Sequence, residues 1–199
     1  HFIFISTVAV YQDAEWVNEH SVCLPSTPYG KSKLKAEKML ETLADDNFVI
    51  SIVRSPMIYG PSAPGNIALL SKLVKTMPIL PFGRINNSRT FVGIGNLTAL
   101  IDTLLKKRLE GVFLAADDTS LSTTLLIRLI AAALNKKIYL LSLPFFETVV
   151  KKISCSLHNK LFENLVVDNT ETKKRLSFHT PYTTEEGIIT MFRNEVPCY

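Results

Sequence analysis

Two apolar runs, Phe2 to Ile5 and Phe48 to Val53, are almost free of polar interruption. That is the pattern of strands buried on both faces of a parallel sheet. Between them Ala36, Met39, Leu40 and Leu43 recur at helical spacing, and the polar Asp45-Asp46-Asn47 closes the segment. Thr27 as cap and Pro28 as first helical residue mark where the helix starts. Strand, helix and strand in this order predict a βαβ unit whose helix covers a parallel sheet.

After Arg54 the texture changes. Pro56, Gly60, Pro61, Pro64 and Gly65 predict an irregular loop. Helix faces follow at Ile67, Leu70, Leu73, Val74 and Met77 before Pro78, at Leu97, Leu100, Ile101, Leu104 and Leu105, and at Leu126, Leu129, Ile130 and Ala133. Short strands are expected from Arg89 to Ile94, Val112 to Ala115 and Ile138 to Leu141, and short helices near 171–176 and 184–193. The fragment Gly93-Ile94-Gly95 lacks a third glycine and reads as a turn. Phe145, Phe146, Val149, Val150, Ile153, Leu157 and Leu161 make an amphipathic stretch with Lys151, Lys152 and Lys160 interspersed. A basic amphipathic helix can lie on a membrane surface, but the expectation here is an apolar stripe packed on the protein.

With 199 residues, 47% of them hydrophobic, the chain can bury one substantial core. The formal charge of +4 is scattered among acids, which suits a phosphate-bearing small molecule. Without aromatic-basic interleaving, no nucleic-acid partner is expected. Cys23, Cys155 and Cys198 give neither a disulfide framework nor metal-ligand spacing, so a reducing cytoplasm is the expected location. His1, His20, His158 and His179 do not cluster with them, and no metal is expected. The apolar stretch from Leu121 to Leu134, interrupted by Ser122, Thr123, Thr124 and Arg128, is too short for a bilayer, so no integral membrane segment is predicted.

The candidate chemistry lies around the first βαβ unit. Tyr29 and Lys33 stand four residues apart at the helix start, so both can reach one point. A phenol serves as acid or base, and a nearby ammonium favours its phenolate form. Thr7, at the end of the upstream strand, would orient a substrate hydroxyl or carbonyl. These residues fall at carboxyl ends of strands, where open α/β sheets bind ligands.

Phe2-Ile3-Phe4-Ile5-Ser6-Thr7-Val8-Ala9-Val10-Tyr11, Pro28-Tyr29-Gly30-Lys31-Ser32-Lys33 and Val53-Arg54-Ser55-Pro56-Met57-Ile58-Tyr59-Gly60-Pro61 together resemble the extended short-chain dehydrogenase/reductase family. Within it they resemble the nucleotide-sugar epimerases and ketoreductases. The resemblance continues through Leu80-Pro81-Phe82-Gly83, Arg89-Thr90-Phe91-Val92 with Asn96-Leu97, and Leu176-Ser177-Phe178 with Pro181 and Glu186-Gly187-Ile188. It implies an α/β fold: part of an NAD(P)-binding Rossmann-like parallel sheet with a smaller C-terminal substrate-binding lobe. Residues 1–60 would carry the catalytic groups, and 61–199 would be mainly substrate lobe, with about 89–115 returning to the sheet. The glycine-rich pyrophosphate turn of such enzymes is not found among the eight glycines, so the chain reads as the C-terminal part of a longer enzyme.

The resemblance also assigns roles. Thr7, Tyr29 and Lys33 would be catalytic, with Tyr29, Lys33, Ser55 and Pro56 against the cofactor, NAD or NADP. Ser6, Thr7, Met57, Asn66, Phe82 and Arg89 would face a UDP-sugar, with Phe82 stacking on the base and Arg89 pairing with the diphosphate. A homodimer is the implied assembly. The reaction implied is 4-epimerisation through a transient 4-keto sugar. A 4-ketoreductase of a UDP-N-acetyl-6-deoxyhexosulose and a noncatalytic family member are the alternatives. Dehydratases of the family carry Asp-Glu directly after the Thr, where this chain has Val8 and Ala9. Two further departures are Met57, where hexose 4-epimerases often have Asn, and Gln12, where Gly is usual.

Overall fold

The computed structural model describes residues 1–11, 14–63 and 65–192. The chain begins with β1 (Phe2–Thr7), a 3-10 turn (Val8–Val10), β2 (Trp16–Val17), α1 (Pro28–Glu41), β3 (Ile50–Ser55) and β4 (Met57–Tyr59). It continues with α2 (Asn66–Thr76), β5 (Ile79–Leu80), β6 (Phe91–Gly93), α3 (Ile94–Lys107), β7 (Gly111–Leu114) and α4 (Thr123–Ala133). The last elements are β8 (Tyr139–Leu140), α5 (Phe146–Ile153), α6 (Cys155–Phe162), β9 (Val166–Val167), α7 (Thr170–Leu176) and α8 (Thr184–Met191).

Strands β1, β3 and β7 form a three-stranded parallel sheet in that order. The register pairs Phe2 with Ile50 and Thr7 with Ser55, so the carboxyl ends of β1 and β3 lie side by side. Every residue of β3 is buried, as its apolar run requires. Val53, Phe113 and the inner face of α3 (Leu97, Leu100, Leu104) share one apolar cluster. A second and larger cluster gathers Ile67, Leu70 and Val74 of α2, Leu126, Ile127 and Ile130 of α4, and Ile188 and Met191 of α8.

Helix α1 departs from the face its periodicity predicts. Met39 and Leu43 are exposed, at 61% and 60%, and the residues buried within the helix are Gly30 and Glu37. The reason is electrostatic: Glu37 faces the Arg54 guanidinium on β3, and that ion pair, instead of an aliphatic stripe, docks the helix on the sheet. The Asp45-Asp46-Asn47 stop is as expected, with Asp45 Oδ1 accepting from the backbone N–H of Asn47 and Phe48.

Other differences are local. The segment expected to be an irregular loop after Arg54 contains β4, which pairs in parallel with β6. Pro64 lies outside the described residues, as do Gln12, Asp13, Arg193 and Cys198. Gly93-Ile94-Gly95 forms no turn: β6 ends at Gly93 and α3 begins at Ile94. The stretch from Phe145 to Leu161 is broken into α5 and α6 at Ser154, whose extended backbone ends one helix while its side chain caps the next at Leu157 N. Leu105 and Met77, expected on buried faces, are exposed. Among the described residues, no helix is long and apolar enough to cross a membrane.

Candidate active site

A cleft of about 1170 Å³ opens at the carboxyl ends of β1 and β3. Thr7, Tyr29, Ser55, Pro56, Met57 and Arg89, six of the residues singled out from sequence, lie on its wall. Thr7 Oγ1 accepts from Ala9 N at 3.2 Å, capping the 3-10 turn that follows the strand. Val8 and Ala9, in the places of the dehydratase acids, also line the cleft.

The start of α1 puts Tyr29 there. Thr27 Oγ1 accepts from Gly30 N at 3.1 Å, and Pro28 occupies the first turn without needing an N–H partner. Gly30 lies so close to the Ala9 carbonyl oxygen that a Cβ would collide with it and with Pro25. Only glycine allows this approach of the helix to the 3-10 turn, and the approach carries Tyr29 to the Thr7 side of the cleft. Tyr29 is 58% exposed. One turn on, the Lys33 ammonium donates to the Ile5 carbonyl at 2.9 Å and sits 4.8 Å from the centre of the Phe4 ring. It is not on the cleft wall.

Three expected substrate contacts are placed elsewhere. Successive residues of a strand face opposite sides, so Ser6 points away from Thr7; it is buried, and its hydroxyl donates to Glu37 Oε1. Phe82, expected to stack on the base, is not on the cleft wall. Its ring is buried in the larger apolar cluster, packed edge-on against Phe146 at 5.6 Å. Asn66 opens α2 and is not part of the cleft wall. Arg89 is on the wall, but its Nη1 donates to the carbonyls of Asn159 at 3.0 Å and Glu163 at 2.9 Å. Burial holds its guanidinium below the usual arginine value, with the Glu163 charge opposing.

Behind the wall lies a buried network that hydrophobic periodicity does not reveal. Arg54 Nη2 meets Glu37 Oε2 at 2.7 Å, and Arg54 Nη1 donates to the Tyr11 hydroxyl at 2.9 Å. Burial is the largest single influence and would weaken the hold of Arg54 on its proton, but the hydrogen bonds and charges of Glu37 and Tyr11 together outweigh it and raise its pKa. Burial raises the Tyr11 phenol more than Arg54 lowers it. The sequence signal was an acid inside an apolar helix pattern and an arginine at the end of a buried strand, charges that are buried only when paired.

On the other flank, the Tyr59 hydroxyl donates to Asp117 Oδ2 at 2.7 Å, and Asn96 and the Gly93 N–H donate to Asp117 Oδ1. Burial, then the bond to Asp117, raises the Tyr59 pKa. Also unanticipated are Asn159, Lys160 and Glu163 of the α6 region and Asn164, which bring polar groups to the wall. Glu15 lies on the wall too, its Oε2 accepting from Asn164 Nδ2 at 3.2 Å.

A parallel sheet with a cleft at the carboxyl ends of its strands is a Rossmann-like layout. Residues 1–114 match the model of the NAD dependent epimerase/dehydratase family, and the chain belongs to that family. It is 36% identical over 201 residues to a UDP-glucose 4-epimerase of Vibrio cholerae, across 94% of this chain and 60% of that protein. It is 30% identical to an N-acetyl-alpha-D-glucosaminyl-diphospho-ditrans,octacis-undecaprenol 4-epimerase of Escherichia coli O157:H7, across 73% of this chain and 46% of that protein. The chain therefore spans 60% and 46% of the lengths of these curated relatives. Among solved structures, a UDP-N-acetylglucosamine 4-epimerase from Bacillus cereus superposes with a TM-score of 0.75 at 20% identity, over 96% of this chain and 64% of that one. A dTDP-4-dehydrorhamnose reductase from Bacillus anthracis str. Ames, in complex with NADP, gives 0.74 at 19% identity, over 96% and 65%. These two share the fold.

Proposed function

We propose that the protein containing this chain is an NAD-dependent nucleotide-sugar 4-epimerase, with a UDP-hexose as substrate. The observation that carries the reading is that Thr7, at the end of β1, and Tyr29, in the first turn of α1, line one cleft beside the adjacent ends of β1 and β3. Ser55, whose hydroxyl donates to the Ser6 carbonyl, and Pro56 line the same cleft and would lie against the reactive end of a nicotinamide dinucleotide. Bound there, the nicotinamide supplies a hydride acceptor and donor. Lys33 contributes positive charge one helical turn from Tyr29.

In this reading Thr7 holds the sugar C4 hydroxyl through a hydrogen bond, and Tyr29, acting as the base in its deprotonated form, takes the hydroxyl proton as the C4 hydrogen leaves as hydride and the C4–O bond becomes a carbonyl. After the 4-keto sugar has turned over, return of hydride to the other face of C4, with return of the proton from Tyr29 to the oxygen, gives the epimer. Arg89 and Lys160 bring cationic side chains to the wall suited to a diphosphate. Residues 1–60 hold the catalytic part, and 61–199 are mainly the substrate lobe, with 89–115 returning to the sheet.

Met57 favours a second reading, a 4-ketoreductase of a UDP-N-acetyl-6-deoxyhexosulose. It is half-buried on the cleft wall, and a thioether suits the C6 methyl of a 6-deoxy sugar better than a C6 hydroxyl. Incubating the full-length enzyme with a panel of UDP-sugars, while following product stereochemistry and net cofactor consumption, separates the two. An epimerase inverts C4 with no net consumption, a reductase consumes one cofactor per turnover, and neither outcome with any UDP-sugar removes both readings.

A further inference from the structure

The amphipathic stretch packs only part of its apolar surface. Within α5, Val150 is buried and Phe146 joins the larger cluster. Val149 and Ile153, four apart on one helix face, are 50% and 76% exposed, and Phe145, which caps the helix, is 79% exposed. Just upstream, Tyr139, Leu141 and Leu143 are exposed as well, and the register of β5 with β8 sets exposed Ile79 beside Tyr139. So many exposed apolar side chains on one stretch of chain are uncommon unless something covers them.

Two further observations bear on what covers it. Phe145 sits at φ 62°, the left-handed region that a bulky residue adopts only when held there, yet its ring gains almost no burial within the chain. The charge around the patch is one-sided: residues 136–153 carry Lys136, Lys137, Lys151 and Lys152 against Glu147 alone. All four lysines are exposed; on α5, Lys152 stands three residues from Val149 and flanks the apolar face, whereas Lys151, two residues from Val149 and from Ile153, points away from it. Glu147 is engaged by His158 at 3.0 Å. Arg84 borders a small groove with Leu143 and Phe145, adding a cation beside the exposed aromatic.

We propose that this face docks the protein peripherally on an anionic lipid bilayer. Exposed aromatic and aliphatic side chains enter the headgroup boundary while the lysines meet lipid phosphates, the arrangement of an interfacial helix lying in the membrane plane. Helix α5, at about 12 Å for its eight residues, lies on the surface and does not span it. A second copy of this chain would set lysine against lysine. An anionic surface satisfies both halves of the patch and needs no shape complementarity.

The test is co-sedimentation of the full-length protein with phosphatidylcholine vesicles, plain or containing about 30% phosphatidylglycerol, at low and high salt. The protein is expected to pellet with the anionic vesicles only, and salt is expected to release part of it. The pairs Phe145→Ser with Ile153→Ser and Lys151→Glu with Lys152→Glu, all at exposed positions, should each reduce the bound fraction about tenfold while keeping the wild-type melting temperature. Wild type that stays in the supernatant overturns the proposal, as do variants that pellet equally well. Self-association abolished by Phe145→Ser, with no vesicle binding, overturns it in favour of a dimer face. Vesicle binding does not depend on turnover, so the result stands apart from the epimerase reading.

Discussion

The Glu37 carboxylate and the Arg54 guanidinium meet at 2.7 Å where their residues are only 1% and 5% exposed. The pair joins the helix that bears Tyr29 and Lys33 to the strand that ends at Ser55. Removing one member leaves the other charged and buried. Glu37→Ala should therefore cost about 3–5 kcal/mol of stability, read as a shift in the midpoint of urea unfolding. Replacing both residues with methionine should restore much of the loss, because the desolvation cost disappears with the charges. If Glu37→Ala unfolds like the wild type, the pair does not hold the helix.

Tyr29 is exposed on the cleft, so removing its hydroxyl takes away no buried contact. In the full-length enzyme, Tyr29→Phe should lower turnover by ~10² or more with an unchanged melting temperature. Near-normal activity would make Tyr29 a packing residue.

Arg89 has two attachments, which can be measured apart. If its guanidinium also pairs with the diphosphate, Arg89→Ala should weaken UDP binding by roughly 1.5 to 3 kcal/mol, the worth of a hydrogen bond to a charged group. Arg89→Lys should not restore it fully, because an ammonium lacks the planar fork. Calorimetric UDP affinities equal in wild type and both variants would confine Arg89 to its bonds with Asn159 and Glu163.

Two exposed carboxylates set an acid limit on stability. Asp118 has its pKa lowered: burial pushes it up, but the hydrogen bonds from Lys173 and Thr180 and the charges of Lys173 and His179 together outweigh that. Glu186 is lowered by the backbone N–H of Thr183 in a capping box. A carboxyl group whose pKa is depressed in the folded state stabilises above its unfolded value, and that contribution is lost as pH falls through the folded value. Melting temperature should thus decline as pH drops below about 4, and Asp118→Asn should flatten the decline. An identical acid slope in that variant would remove Asp118 from the account.

Hydrophobic patterning located β1, β3, α2, α3 and α4 because burial on both faces, or on one stripe, leaves a period in the sequence. It misjudged α1, where a paired charge does the docking, and missed β4, whose three residues are too few to show a period. The site was legible where local rules act. Thr27, Pro28 and Gly30 fix the helix start that carries Tyr29, and the strand ends carry Thr7 and Ser55. Ser6 and Phe82 were misplaced because strand alternation and core packing are settled by partners distant in sequence, Glu37 and Phe146. The α6 side of the cleft depends on the break at Ser154, which continuous apolar spacing conceals.

The aliphatic side chains of Val8 and Ala9 on the cleft wall lead to the last prediction. Elimination of water from a 6-hydroxylated UDP-hexose needs one group to protonate the departing C6 hydroxyl and another to take the C5 proton, and neither side chain can do so. The full-length enzyme should therefore form no 4-keto-6-deoxy product from UDP-glucose or UDP-N-acetylglucosamine, as judged by the absence of a water-loss species in mass spectrometry. Glu15 is a carboxylate on the same wall, held by Asn164, so it is the residue to examine should that species appear. Formation of the dehydrated sugar by wild type, with its loss in Glu15→Gln, would overturn the exclusion and give Glu15 the acid's role.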